Sequence, residues 1–256
     1  MAEKRSQTEA ASGSARRLLS IMLCFTRARP ALTSREISEL TGIALPTIYR
    51  YLSVFKEAGL VISDEKQGSF HLSVRFVGLA EAAEAADPLI ELADPIMREL
   101  ATDTGETVLL VRVVGQAATC IHRIESAHHL RTSYEPGQPV PLERGASARI
   151  LIGAMPARIR NAIFDRVASS DPAAAERLRA GVEQAATQGW ATSSGEVDNG
   201  IWATAAAIRG NRDEVIAALS VPAPVVRMSD ANRDRVLDQV RAAADRVTQL
   251  VARTAR

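Results

Sequence analysis

Cysteine is scarce: two in 256 residues, Cys24 and Cys120, both in apolar surroundings and without a C-x-x-C spacing. That excludes a disulfide framework and a structural zinc site, and it fits a reducing cytoplasm. Long apolar runs are missing too. No stretch approaches the roughly 20 apolar residues that a membrane span needs. Arg16-Arg17 followed by "LLSIMLCF" imitates a twin-arginine signal, but "TRAR" ends the run at once, so the segment reads as a helix. Catalytic signatures are absent as well: no G-x-S-x-G, no G-x-G-x-x-G, no P-loop and no H-E-x-x-H. There is no internal repeat. Net charge is only +1, so no global field selects an anionic partner.

What is present is a local asymmetry. Residues 1–75 hold eleven Lys or Arg against seven Asp or Glu, which leaves a basic front on a slightly acidic remainder. An anionic partner is therefore expected for the front alone. Residues 1–13, "MAEKRSQTEAASG", are small and polar and are expected to be disordered. From Ser14 to Thr26 the apolar residues Leu18, Leu19, Met22, Leu23 and Phe25 recur at helical spacing. Pro30 stops that helix. Thr33 or Ser34 caps the next one, and Gly42 turns the chain. A third helix begins near Leu45, with Pro46 in its first turn and Ile48, Leu52 and Phe55 at i, i+4, i+7 as its buried stripe. Gly59 ends it. "LVIS" and "SFHLS" then read as two strands joined by the turn "DEKQG".

Three short helices followed by a hairpin describe a winged helix-turn-helix. If Ile48, Leu52 and Phe55 face inward, then Pro46, Thr47, Tyr49, Arg50 and Ser53 face outward. A major groove about 12 Å wide accepts such a helix. Arg50 suits guanine or a phosphate, Thr47 and Ser53 base edges or phosphates, and Tyr49 a phosphate or a thymine methyl. Arg35 near the start of the second helix suits a phosphate, and Lys66 and Gln67 at the wing tip suit backbone or minor groove. The plain alternative is a helical interaction module with a solvated polar face.

Residues 74–86 read as a connecting helix, and Asp87-Pro88 marks a domain boundary. We read 14–73 as the winged domain, 74–86 as the linker helix and 87–256 as a second domain. In that domain "PLIELADPIMRELATDTG" is an amphipathic helix, and "ETVLLVRVVGQAATCIHRIES" is two strands joined at Gly115. A proline-rich loop leads to a helix opening after Gly145. Two alanine-rich helices break at Asp171-Pro172. "IWATAAAIRG" and "EVIAALSVPAP" are apolar strands. A long helix capped by Ser229 or Asp230 carries the stripe Val236, Val240, Ala243, Val247 and Val251. Gly145-Ala146-Ser147 opens its helix with small residues, so its amides and dipole can meet an anion, or it is simply a cap. His128 and His129 are adjacent and point apart on a strand, with no third ligand at metal spacing, so no metal is expected.

The segments "SREISELTGIALPTIYRYLSVFKEAGLV" and "GSFHLSVRFVGLA" resemble the IclR family of bacterial transcription regulators. The blocks "CIHRIESAHHLRTSYEPGQPVPLERGASARILIGAMP" and "QGWATSSGEVDNGIWATAAAIRGNRDEVIAALSVPAPVVRMS" resemble that family's C-terminal half, in the right order. The resemblance spans about 15–252. It implies an α+β protein: an N-terminal winged helix-turn-helix, a linker helix and a C-terminal GAF-like mixed α/β effector domain. It also implies a homodimer or homotetramer that binds a double-stranded DNA operator, more often as a repressor, and senses a small-molecule effector, here a small organic acid with an aliphatic or aromatic body. The effector would shift the relative placement of the winged domains through the 74–86 helix. No cofactor, enzyme activity or membrane is implied. The rival readings are an enzyme or a non-DNA-binding scaffold built on the second domain.

Family effector positions, carried over residue by residue, fall on His129, Thr132, Val140, Ala146 and Ser147 on the loop side. On the strands they fall on Ser193, Ile201, Ala203, Ser220 and Pro222. Ser193 stands where the family often has an acid, Ala203 where it often has Cys, and Pro222 where it often has Ser. "GASAR" lacks the family's second glycine. The expected polar anchors are therefore Ser147, Ser220, Thr132 and His129, and Glu196 aligns with a family glutamate that holds the pocket rim.

Overall fold

The computed structural model describes residues 13–115, 117–130, 132 and 134–254. The expectation of a disordered terminus over 1–13 lies, apart from residue 13, outside them. The chain divides into two compact units, one ending at Ala86 and the other beginning at Asp87.

In the first unit, helix α1 covers residues 13–22. Strand β1 (Ala31–Thr33) leads straight into α2 (Ser34–Thr41). Thr33 caps α2 through a reciprocal box: its hydroxyl accepts from the Glu36 amide, and the Glu36 carboxylate accepts from the Thr33 amide at 2.7 Å. Gly42, at φ 68°, closes the helix with its amide on Ser38 O. Helix α3 (Leu45–Glu57) follows, then β2 (Val61–Asp64), β3 (Ser69–Leu72) and α4 (Arg75–Ala85). The strands form an antiparallel sheet in the order β1-β3-β2. "ALT" carries no alternating pattern, so β1 is legible only once β3 offers it a free edge.

The core of this unit is Ile21, Phe25, Leu32, Ile37, Ile48, Tyr51, Leu52, Phe55 and Val61. Full burial of each large aliphatic side chain contributes about 1.5–3 kcal/mol. The stripe anticipated for α3 is buried, with Tyr51 added to it. Two residues anticipated as apolar positions of α1 behave otherwise. Leu19 and Leu23, one turn apart, are exposed, because Ile21 and Phe25 take the inward face.

In the second unit, α5 (Pro88–Thr104) is capped by Asp87, whose carboxylate accepts from the Leu89 amide, and it stops at Gly105. Strands β4 (Val108–Val114), β5 (Ala117–Ile124) and β6 (Pro139–Val140) precede three helices, α6 (Ala146–Ala154), α7 (Ala157–Ala168) and α8 (Pro172–Gln188). Strands β7 (Trp190–Ser194), β8 (Ile201–Arg209) and β9 (Val215–Pro224) complete a six-stranded sheet, order β6-β5-β4-β9-β8-β7, before α9 (Asp230–Thr254). Every strand pair is antiparallel. Both faces are covered, so neighbouring residues feed different cores. Leu109, Val111 and Ala218 pack under α6, α7 and α8 with Leu151, Phe164 and Leu178. Leu110, Trp202 and Leu219 pack against α5 and α9 with Met97, Val240 and Val247.

A buried polar cluster ties the segment after β5 to the body of this unit. Arg227 pairs with Glu106 through two hydrogen bonds of 2.6 Å and also donates to Leu130 O. Ser126 donates from its amide to Thr107 and from its hydroxyl to Gly105 O. Glu106 is nearly inaccessible, so removing Arg227 would leave a buried carboxylate without a partner. Among the described residues no helix is long and apolar enough to cross a membrane.

Candidate functional site

The first candidate site is the outer face of α3. Because Ile48, Tyr51, Leu52 and Phe55 turn inward, Pro46, Tyr49, Arg50 and Ser53 are exposed and Thr47 is half-buried. Tyr49 does more than present a hydroxyl. Its Oη accepts from Ser34 Oγ at 3.0 Å, and Ser34 is buried at the start of α2, so the ring braces the two helices. The Arg50 guanidinium lies 5.3 Å from the centre of the Tyr51 ring. That cation–π contact restrains a long side chain otherwise free to sweep through solvent, which lowers the entropy cost of ordering it on a ligand. Among the described residues Ser53 Oγ makes one long contact, to Glu57 at 3.4 Å. Arg35 is exposed in the first turn of α2. At the wing tip, Asp64 Oδ1 accepts from the Lys66 and Gln67 amides at 2.9 and 3.3 Å, which fixes the turn and leaves both side chains outward.

The second candidate site is a small, partly open cavity of about 40 Å³ between the α6 side of the sheet and the 134–148 segment. Its strand wall follows from register. Ser193, Ala203 and Pro222 stand side by side across β7, β8 and β9. Val140, Ala146, Ser147, Ile201 and Ser220 line it too, so eight of the ten residues carried over from the family converge there. His129 and Thr132 do not line it. His129 is exposed, and Thr132 is buried with its Oγ1 unpartnered among the described residues. The expected set of anchors shifts further because Ser220 Oγ already donates to Thr204 O at 2.9 Å, inside the sheet.

Side chains that sequence reasoning passed over supply other polar groups. Tyr134 and Arg144 line the cavity from the loop, and Val197 and Asp198 from the β7–β8 turn. Tyr134 Oη donates to Asp198 Oδ2 at 3.1 Å, closing loop onto turn. Burial first, and then the Asp198 carboxylate, push the Tyr134 phenol well above its ordinary value, so it remains a donor. Arg144 is exposed and makes no ion pair among the described residues. Leu109 and Val111 form the apolar floor. Only the adjacency of β4 to β9 brings them there, and nothing local announces that pairing.

The opening of α6 is partly occupied from within the chain. The Gly145 amide donates to Glu196 Oε2 at 3.1 Å, and the Ala146 amide to Ser193 Oγ at 3.2 Å. The other Glu196 oxygen pairs with Arg149 Nη2 at 2.6 Å, while Arg149 Nη1 reaches Thr192 O. A carboxylate at a helix N-terminus is what the dipole favours, so Glu196 takes the place the sequence left open for an external anion. No acceptor among the described residues meets the next two amides, Ser147 and Ala148. What remains is a small chamber with an apolar floor, two first-turn amides, one hydroxyl and one guanidinium. No three His, Cys, Asp or Glu side chains among the described residues are grouped to hold a metal. Cys120 is buried, which pushes its thiol up to about 11 and leaves it inert.

Comparison with known proteins covers both units. Residues 14–65 match the IclR helix-turn-helix domain, and residues 82–249 match the bacterial transcriptional regulator IclR C-terminal domain. The chain is 24% identical to the HTH-type transcriptional regulator KipR of Bacillus subtilis, over 88% of this chain and 92% of that one. A solved structure described as an IclR transcriptional regulator, from Silicibacter sp. TM1040, superposes with a TM-score of 0.78 at 24% identity, covering 93% of this chain and 96% of that one. An IclR homolog from Microbacterium hydrocarbonoxydans, complexed with 4-hydroxybenzoate, superposes with a TM-score of 0.77 at 19% identity, over 93% and 98%.

Proposed function

We propose, for a chain that belongs to the IclR family of bacterial helix-turn-helix transcriptional regulators, that the outer face of α3 reads an operator and that the cavity beside α6 senses a small organic acid. Membership makes the chain a DNA-binding transcriptional regulator with an effector-binding C-terminal domain, and not an enzyme. The finer reading rests on one observation above the rest: a helix whose inward stripe is fully committed to a core while Arg50, Ser53, Pro46 and braced Tyr49 stand outward together. Arg50 is assigned to a base or a phosphate, Thr47 and Ser53 to base edges or phosphates, Arg35 to a phosphate, and Lys66 and Gln67 to the DNA backbone or minor groove.

In the cavity, Arg144 and the Ser147 and Ala148 amides favour a carboxylate, while Leu109, Val111, Val140 and Pro222 favour an apolar body. The aromatic acid bound by the Microbacterium hydrocarbonoxydans homolog has that chemistry. At about 40 Å³ the chamber has room for a water molecule and not for an organic acid. An organic acid therefore needs a wider chamber, and we propose that release of the Tyr134–Asp198 contact between loop and turn provides it. The effector changes operator affinity only as far as it prefers one of two states of the protein. We read the chain as a cytoplasmic repressor, a homodimer or homotetramer, needing no cofactor.

The test is binding to the intergenic DNA beside its own gene, titrated across salt and then across a panel of small carboxylates. Specific binding with a steep salt dependence, altered by one acid, is expected. Specific binding indifferent to every carboxylate would overturn the ligand class and leave the regulator intact.

A further inference from the structure

Away from the cavity, a second concavity of about 690 Å³ runs between α7 and the ends of β4 and β9. Its volume lies in the range of small-ligand sites, roughly 300–1,000 Å³. The floor is apolar: Leu142, Leu151 and Ile163 are buried. The same α6 that walls the cavity with Ala146, Ser147 and Ala148 turns Leu151 and Ala154 into this groove. Along its rim, Arg158, Ala162 and Arg166 stand at i, i+4 and i+8, one above the other on α7.

The charge is one-sided. Among the described residues two guanidinium groups line the groove and no carboxylate does. Arg166 is matched from outside by Glu143, at 2.5 Å. Arg158 makes no ion pair among the described residues, and it lies in a first helical turn whose N-cap, Pro156, offers no side-chain acceptor. A trough with an apolar floor and an unmatched cation at its rim suits an elongated organic anion, its tail along Leu142, Leu151 and Ile163 and its head at Arg158.

We infer that this groove is a second ligand site, separate from the effector cavity and specific for an amphipathic carboxylate such as a medium-chain fatty acid. Ala162 is the residue that keeps it open. A larger side chain there would lie over the floor, and because Ala162 is exposed the change leaves the core alone.

The experiment is calorimetric titration of the full chain with decanoate below its micelle-forming concentration, with decyltrimethylammonium as the charge control. One decanoate per chain is expected, with the cation at least tenfold weaker. Ala162→Trp and Arg158→Glu should each weaken decanoate at least tenfold. If Ala162→Trp loses its circular dichroism signal, Arg158→Glu, at an exposed position, decides alone. No decanoate binding at millimolar concentration would overturn the inference. So would equal binding of the two amphiphiles, or binding indifferent to Arg158→Glu. A smaller oligomer in Ala162→Trp by sedimentation, without decanoate binding in the wild type, would assign the groove to a second copy of the chain and also overturn it. None of these results bears on operator binding, so the two readings fail separately.

Discussion

Replacing Gly145 with alanine tests the geometry on which the effector cavity depends. Gly145 sits at φ 97° and ψ 162°, a region that only glycine occupies readily. Forcing a side chain into it costs about 1–3 kcal/mol. A Cβ there would also meet Val197 Cγ2 at 2.8 Å, and Val197 is β-branched and cannot swing aside cheaply. The backbone must yield, which loosens the Gly145 amide from Glu196, a hydrogen bond to a charged group worth about 1.5–3 kcal/mol. Together these predict a loss of about 3–5 kcal/mol. Gly137 is the control. It too has positive φ, 82°, but a Cβ there meets nothing within 4 Å, so Gly137→Ala should cost only about 1–2 kcal/mol. Trp190 and Trp202, the two tryptophans of the chain, both belong to the second unit. Tryptophan fluorescence in urea therefore follows that unit alone. With a slope of about 2 kcal/mol/M, Gly145→Ala should lower the midpoint by roughly 1.5–2.5 M. A shift no larger than that of Gly137→Ala would refute the reasoning, because the strain and the Val197 contact would then be relieved at no cost.

Three further outcomes are expected. Arg50→Ala should weaken specific operator binding by about 1–3 kcal/mol if Arg50 reads a base, and reduce the salt slope by about one if it holds a phosphate; gel-shift titrations at several salt concentrations separate the two, and unchanged affinity discards the residue. Ser147→Asp, which places a carboxylate at the first turn of α6, should abolish the response to carboxylates while operator binding persists; a normal response in the same assay removes Ser147 from the cavity. The Arg98 guanidinium, with His122 assisting, holds the Asp94 carboxyl below its ordinary range. A depressed folded value means that Asp94 stabilises fully above the unfolded carboxylate pKa of about 4, and that this contribution fades as pH falls through the lower folded value. Asp94→Asn should therefore flatten the acid limb of urea stability measured by tryptophan fluorescence below pH 4, and an unchanged limb would show that the pair is worth nothing there.

Local chemistry was legible wherever the physics is local. Thr33 with Glu36, Gly42, Pro46 and the Ile48–Leu52–Phe55 spacing announce α2, the turn and α3, because caps and helical periodicity act within a few residues. The hairpin β2–β3 was legible for the same reason. Strand β1 and strand β7 were not. "ALT" and "WATSS" lack alternation, and each becomes a strand only because a partner edge, β3 or β8, is available. Tyr134 and Arg144 were missed at the cavity because a proline-rich loop has no periodicity from which a direction could be read. Thr132 and His129 were expected there through family alignment, yet the loop carries them elsewhere.

By itself, then, the sequence determined the order of the helices and of the strongly patterned strands, the outward face of α3 and, through its resemblance to the IclR family, the two functions of the chain. Each of these follows from spacing along the chain or from motifs that survive as text. Tertiary structure alone decided how the cavity is furnished. Glu196 is 51 residues from the Gly145 amide it caps, and Asp198 is 64 from the Tyr134 it receives. Contacts at that separation exist only once the sheet has set its register, because until then neither carboxylate has a fixed place at which to be neutralised.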